Sequence, residues 1–272
     1  MSFLVAGNWK MHGLSDQLGE LLAIAQYLRT SAGANDVLVC VPATLIARAV
    51  EVSAGCFAIG GEDCAVEAAG PFTGDISAGM LKDAGATAVI VGHSERRCRY
   101  HETDAMVAEK AAAAGRAGLA AIICIGETQV QRDAGTALQV CAAQLGASLP
   151  ADRRLLAGSA IAYEPLWAIG TGRTPNAQEV TEVHRHIRQR VTQLMGKDGD
   201  QIRILYGGSI TPADVRTILV LPEVGGVLVG GASLRSQDFN GIIRVAEAVS
   251  LANVGTEISV RAPVPAQSRT IL

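Results

Sequence analysis

The chain has 272 residues, 49% of them hydrophobic and 18% charged, with a formal net charge of -3. That balance excludes a disordered chain, and the lack of any basic block gives no reason to expect a nucleic-acid partner. Six scattered cysteines with no C-x-x-C pair argue against a disulfide frame or zinc site, the N-terminus lacks the basic start of a signal peptide, and the longest apolar region, Leu119 to Ile125, is far below a membrane span, so a cytoplasmic protein is expected.

Phe3 to Trp9 reads as a first strand whose polar end delivers Asn8 and then Lys10. Ser15 and Asp16 are candidate caps for a helix with apolar positions at Leu18, Leu21, Leu22, Ala25 and Leu28, closed by Gly33. Val37 to Val41 is a second strand, stopped by Pro42; a helix over Leu45 to Val52 and a third strand, Phe57 to Gly60, follow. The segment Glu62 to Asp75 is long for a connection, and such length usually has a function. A helix over Ile76 to Ala84 leads to strand four, Ala88 to Gly92, which ends at His93-Ser94-Glu95-Arg96-Arg97. The alanine-rich helix Asp104 to Ala117 leads to strand five, Ala120 to Ile125.

Strand six, Ala160 to Tyr163, ends in Glu164-Pro165 and an apolar loop, Leu166-Trp167-Ala168-Ile169, with two glycines beyond. Proline lacks the N–H a ladder needs and so stops the strand. A helix over Ala177 to Met195, strand seven over Ile202 to Tyr206, strand eight over Val227 to Val229 and a last helix near Phe239 to Val249 complete the series. Continuous apolar strands alternating with helices mark a parallel sheet covered on both faces. Eight units at this length favour the α/β class with a closed parallel (β/α)8 barrel over an open doubly wound sheet. The expected organisation is one domain over residues 1–254 and a tail over 255–272, where periodicity is lost.

In a barrel the C-terminal strand ends share one face. That face would gather Asn8, Lys10, His93, Glu95, Glu164, Ser209 and the Gly230-Gly231 pair. Glu164, roofed by an apolar loop, suits a base shielded from water. Ser94 is a candidate cap for a short helix, and a helix N–H aimed at the His93 imidazole would make that nitrogen an acceptor and leave the ring neutral. Glu95 is placed to orient Lys10 or to pair with Arg96 or Arg97. Ser209 after Gly207-Gly208, and Gly230-Gly231, offer backbone N–H groups of the kind that bind phosphate after strands seven and eight. Neither a Walker A lysine motif, a G-x-G-x-x-G after the first strand, nor metal-ligand spacing is present.

The blocks Gly7-Asn8-Trp9-Lys10-Met11, Gly92-His93-Ser94-Glu95-Arg96-Arg97, Cys124-Ile125-Gly126-Glu127, Tyr163-Glu164-Pro165, Trp167-Ala168-Ile169-Gly170-Thr171-Gly172, Tyr206-Gly207-Gly208-Ser209 and Leu228-Val229-Gly230-Gly231-Ala232-Ser233-Leu234 together resemble the triosephosphate isomerase family. The resemblance implies a TIM barrel that interconverts D-glyceraldehyde 3-phosphate and dihydroxyacetone phosphate without cofactor or metal, a step of glycolysis and gluconeogenesis. It implies that Glu164 is the base, neutral His93 the electrophile, and Lys10 and Asn8 the groups that hold substrate, with Gly170, Ser209, Gly230 and Gly231 on the phosphate. It also implies a homodimer in which Thr73, in Phe72-Thr73-Gly74, reaches the partner's active site.

Three departures stand out. Arg173-Thr174-Pro175 replaces the usual Lys-x-Ala at the loop end, and the proline is expected to alter loop closing. Glu62-Asp63 is acidic where family members often carry amides, and Gly225-Gly226 replaces a common Asp-Gly. A pentulose-phosphate epimerase, needing metal ligands at strand ends or a different acid/base pair, and a catalytically silent barrel are the alternatives; the single Glu164 opposes the first, and intact Asn8, Lys10, His93 and Glu164 oppose the second.

Overall fold

Eight parallel strands close into a barrel in strict sequence order, with β1 hydrogen-bonded to β8. The computed structural model describes residues 2–31, 33, 35–169 and 175–260. The strands are β1 (Leu4–Asn8), β2 (Asp36–Cys40), β3 (Ala58–Gly61), β4 (Ala88–Val91), β5 (Ala120–Ile125), β6 (Ala160–Tyr163), β7 (Arg203–Tyr206) and β8 (Gly226–Val229). The helices are α1 (Leu18–Thr30), α2 (Ile46–Ser53), α3 (Ala78–Asp83), α4 (Ser94–Tyr100), α5 (Asp104–Arg116), α6 (Gln129–Asp133), α7 (Ala137–Ser148), α8 (Ala177–Met195), α9 (Val215–Leu219) and α10 (Ser236–Val260). The open-sheet alternative is thereby excluded.

Side chains of a strand alternate between faces, and the barrel turns that alternation into two cores. Ala6, Leu38, Cys40, Ile90, Ile122, Cys124, Ala162, Leu205 and Leu228 fill the barrel interior. Their neighbours Val5, Val39, Val89, Val91, Ile123, Ile161, Ile204 and Val227 point outward under the helices, in a second and larger cluster. Both faces are therefore apolar, which is why the strands read as unbroken hydrophobic runs.

Several local expectations change. Ser15 and Asp16 do not cap α1; they lie in a 3-10 turn, Ser15–Gln17, that leads into it. Leu22 is 44% exposed, while Ile24 takes a buried place beside Leu21 and Ala25. The helices α6, α7 and α9 were not expected. In α7 small and polar residues blur the apolar stripe that marks a helix. The last helix continues to Val260, past the expected end near Val249.

Candidate active site

Strand parity builds the site. On β6, Ala160 and Ala162 face the barrel interior, and the same alternation carries the next even residue, Glu164, to the mouth. On β1, Ala6 faces inward and Asn8 follows it. His93 has the wrong parity for β4, and Gly92 corrects this. Its φ of +66° bends the chain at the strand end, and a Cβ there would stand 2.6 Å from the Val107 side chain. Gly126, after β5, is required for a different reason: a Cβ would lie 1.7 Å from the Glu164 carbonyl oxygen.

Glu164 is 2% exposed and His93 6%. The imidazole Nε2 stands 2.9 Å from Glu164 Oε1, and the backbone N–H of Ser94 donates to Glu164 Oε2 at 3.0 Å. Ser94 is not the cap of α4. His93 is, its Nδ1 accepting the Glu95 N–H at 3.3 Å. A ring nitrogen that accepts carries no proton, so hydrogen-bond geometry assigns the imidazole proton to Nε2, facing Glu164.

Opposed effects act on this pair. Burial pushes the Glu164 carboxyl up, but attraction to His93 and the hydrogen bonds from His93 and Ser94 outweigh it and hold Glu164 below its ordinary value. Burial likewise pulls His93 down, and the Glu164 carboxylate outweighs it and raises the imidazole. The Glu95 N–H on Nδ1 works against a second ring proton, since a doubly protonated ring would turn one donor upon another.

Lys10 lies beside them in a left-handed conformation, φ +58°. Its N–H donates to Asn8 Oδ1 at 3.1 Å, and its ammonium donates to Glu95 Oε1 at 2.5 Å. Glu95 thus orients Lys10; Arg96 and Arg97 pair elsewhere, with Asp63 and Glu102 and with Asp104 respectively. A Cβ at Gly230 would touch Lys10 Cε at 3.4 Å, which places the Gly230-Gly231 turn against the same side chain. Ser209 Oγ donates to the Ala168 carbonyl at 2.8 Å and ties the loop after β7 to the loop after β6. Asn8, Lys10, His93, Glu95, Glu164 and Gly230 therefore converge at the barrel mouth. Gly170, with Arg173 and Thr174, lies outside the described residues; Pro175 is buried.

A cavity of about 320 Å³ opens on the other side of Glu164, lined by Gly92, Ser94, Cys124, Gly126 and Leu166 among others. It is a side chamber to the carboxylate, since Lys10, His93 and Gly230 do not line it.

Sequence reasoning missed two features. The first is Glu127, fully buried after β5. Its Oε1 accepts from Arg132 Nε at 2.9 Å, Tyr163 OH at 3.1 Å and Trp167 Nε1 at 2.9 Å. This cluster pins the root of the loop that follows Glu164, and Leu166 to Ala168 form a 3-10 turn packed on it. The second is Glu62. Burial pushes its carboxyl up to about 8. Its acidic character was visible in the sequence, but its burial was not. Among the described residues no three His, Cys, Asp or Glu side chains are grouped to hold a metal ion, and no helix is long and apolar enough to cross a membrane.

Fold and site together define an acid–base enzyme of the closed-barrel class. The family model described as triosephosphate isomerase matches residues 3–246. The triosephosphate isomerase of Afipia carboxidovorans is 53% identical over 246 residues, covering 90% of this chain and 96% of that protein. That of Rhodopseudomonas palustris is 51% identical over 239 residues, covering 87% and 94%. The crystal structure of the Bartonella henselae triosephosphate isomerase superimposes with a TM-score of 0.83 at 43% identity, over 91% of this chain and all of that one. The chain belongs to the triosephosphate isomerase family, and it is an isomerase that interconverts D-glyceraldehyde 3-phosphate and dihydroxyacetone phosphate.

Proposed function

We propose that Glu164 moves the proton between the two carbons of the triose, while His93 Nε2–H polarises the carbonyl. The observation that carries this is the 2.9 Å contact between Glu164 and the proton-bearing nitrogen of His93. A substrate entering the mouth takes the place of each partner for the other: the carboxylate turns to a C–H, and Nε2–H to the oxygen. Once the carboxylate leaves Nε2, the influence that raised the imidazole weakens. Burial and the Glu95 N–H remain, and both favour a neutral donor. Proton removal beside a carbonyl builds charge on oxygen, and donors already in place in a dry site stabilise it without reorganising. Lys10 and Asn8 supply the remaining polar contacts to the developing enediolate, and Glu95 holds Lys10 in place. The phosphate is read as bound by N–H groups of Ser209, Gly230, Gly231 and Gly170. Its anchoring supplies binding energy away from the reacting carbons.

The exposed face beside Lys10 supports a homodimer. Residues 67–76 project from the body with every residue exposed, on a base closed by the Ala65–Ser77 bridge. Met11 (95% exposed), Leu14 (73%), Phe72 and Met80 add large apolar side chains. Such a set is costly in water and suits burial against a second copy, with Thr73 directed to the partner's site. The same reading takes residues 1–254 as one catalytic domain, residues 255–272 as an appendage, and the cytoplasm as the site of action.

A coupled assay for triose-phosphate interconversion tests the assignment. Glu164→Gln, which keeps the shape and removes the base, is expected to lower kcat on the order of 10³-fold. Equal rates for the two proteins would overturn the role given to Glu164.

A further inference from the structure

Glu62 follows directly on β3, and its parity with Ala58 and Gly60 directs it to the barrel mouth. Its carboxyl lies beside Lys10, the residue held at φ +58°, whose own N–H is given to Asn8 Oδ1. Its Oε1 is shut off from water and receives no hydrogen bond among the described residues. The charged and titratable groups that face it are the Lys10 ammonium from the loop after β1, the Glu95 carboxylate from α4 and the buried Cys40 thiol from β2. A buried carboxylate oxygen without a donor is a poor place for charge. Lys10 already holds Glu95 at 2.5 Å, so an ionised Glu62 would set a second carboxylate beside the ammonium that must grip an anionic substrate.

We propose that Glu62 is a positioning residue for Lys10: protonated, it leaves the ammonium to Glu95 and the substrate, and on ionising it sets negative charge beside that ammonium and against the incoming substrate phosphate and loosens substrate binding. Burial is what keeps the proton on, with Glu95 in support, and the Lys10 N–H and ammonium oppose it; the balance places the change near pH 8. The inference rests on Lys10 as a substrate-holding group. It adds a residue that acts through Lys10 without touching substrate.

The test is kcat and KM for D-glyceraldehyde 3-phosphate between about pH 6 and pH 9.5, for the parent, Glu62→Gln and Lys10→Met, with the half-range set by the proton affinity above. The parent KM is expected to rise on the order of three- to tenfold across the upper half of that range, with kcat changing less than about twofold. Glu62→Gln carries no titratable group and is expected to keep the low-pH KM throughout. Glu62→Ala also cannot titrate and replaces it if the glutamine variant fails to fold. A purely structural Glu62 would shift KM equally at every pH. A flat parent KM, or the same rise in parent and Glu62→Gln, overturns the proposal. If Lys10→Met binds and turns over substrate as the parent does, the Lys10 assignment falls and this proposal with it. If Lys10→Met is crippled while Glu62→Gln tracks the parent, the proposal alone falls.

Discussion

Glu62→Gln has a consequence for stability that is separate from turnover. The Glu62 carboxyl is carried from an ordinary 4.5 to about 8 by burial, beyond what the Lys10 N–H and ammonium give back. A group whose pKa is higher folded than unfolded binds its proton more tightly in the native state. Its favourable contribution is complete below about pH 4.5 and is lost as pH rises to about 8, where the native protein must either keep a proton that the unfolded chain releases or bury a charge. At about 1.4 kcal/mol for each tenfold in proton affinity, the ceiling on that loss is about 5 kcal/mol. The residue is partly open to solvent, which softens the penalty, so about 2 kcal/mol is expected. Glutamine has the same shape and escapes the loss. Thermal melts of parent and variant, at one protein concentration across the pH range, should coincide at about pH 4 and separate steadily. Above pH 8 the variant should melt about 4–8 °C higher, at roughly 2–4 °C per kcal/mol for a chain of this size. A difference that is the same at every pH, or a variant that melts lower at pH 8, would refute the linkage.

Two further outcomes are expected. Glu127→Gln leaves the Arg132 guanidinium partly buried without its carboxylate and weakens the anchor of Trp167, so it should cost about 3 kcal/mol, lower Tm by about 6–12 °C and reduce kcat/KM; a Tm within a degree of the parent would show that the cluster carries no stability. Phe72→Asp places a charge at the tip of the projecting loop, 41% exposed in the single chain. It should convert a dimer to a monomer in sedimentation velocity and lower turnover about tenfold or more, and a parent that sediments as a monomer would end the dimer reading.

The amino-acid order alone determined a good deal. Unbroken apolar runs such as Ala120 to Ile125 announced buried parallel strands, and Pro42 and Pro165 marked their ends, because a proline cannot continue a ladder. The polar residues at those ends, Asn8, Lys10, His93 and Glu164, were legible as a group once the strands were counted. Other features were not legible, because they depend on what comes to lie beside what. The apolar spacing admitted Leu22 to the face of α1, and only the packing of α1 between α2 and α10 left it outward with Ile24 in. Ser94 has the chemistry of a cap, yet the turn at Gly92 presents the His93 ring to the helix N–H instead. Glu127, Arg132, Tyr163 and Trp167 come from two strand ends, a short helix and a 3-10 turn, and closure of β5 against β6 makes them one cluster. Glu62 is the sharpest instance. A glutamate is an ordinary anion in a sequence, and it becomes a group that holds its proton near neutrality only where neighbouring strands take away the water that would have solvated its charge.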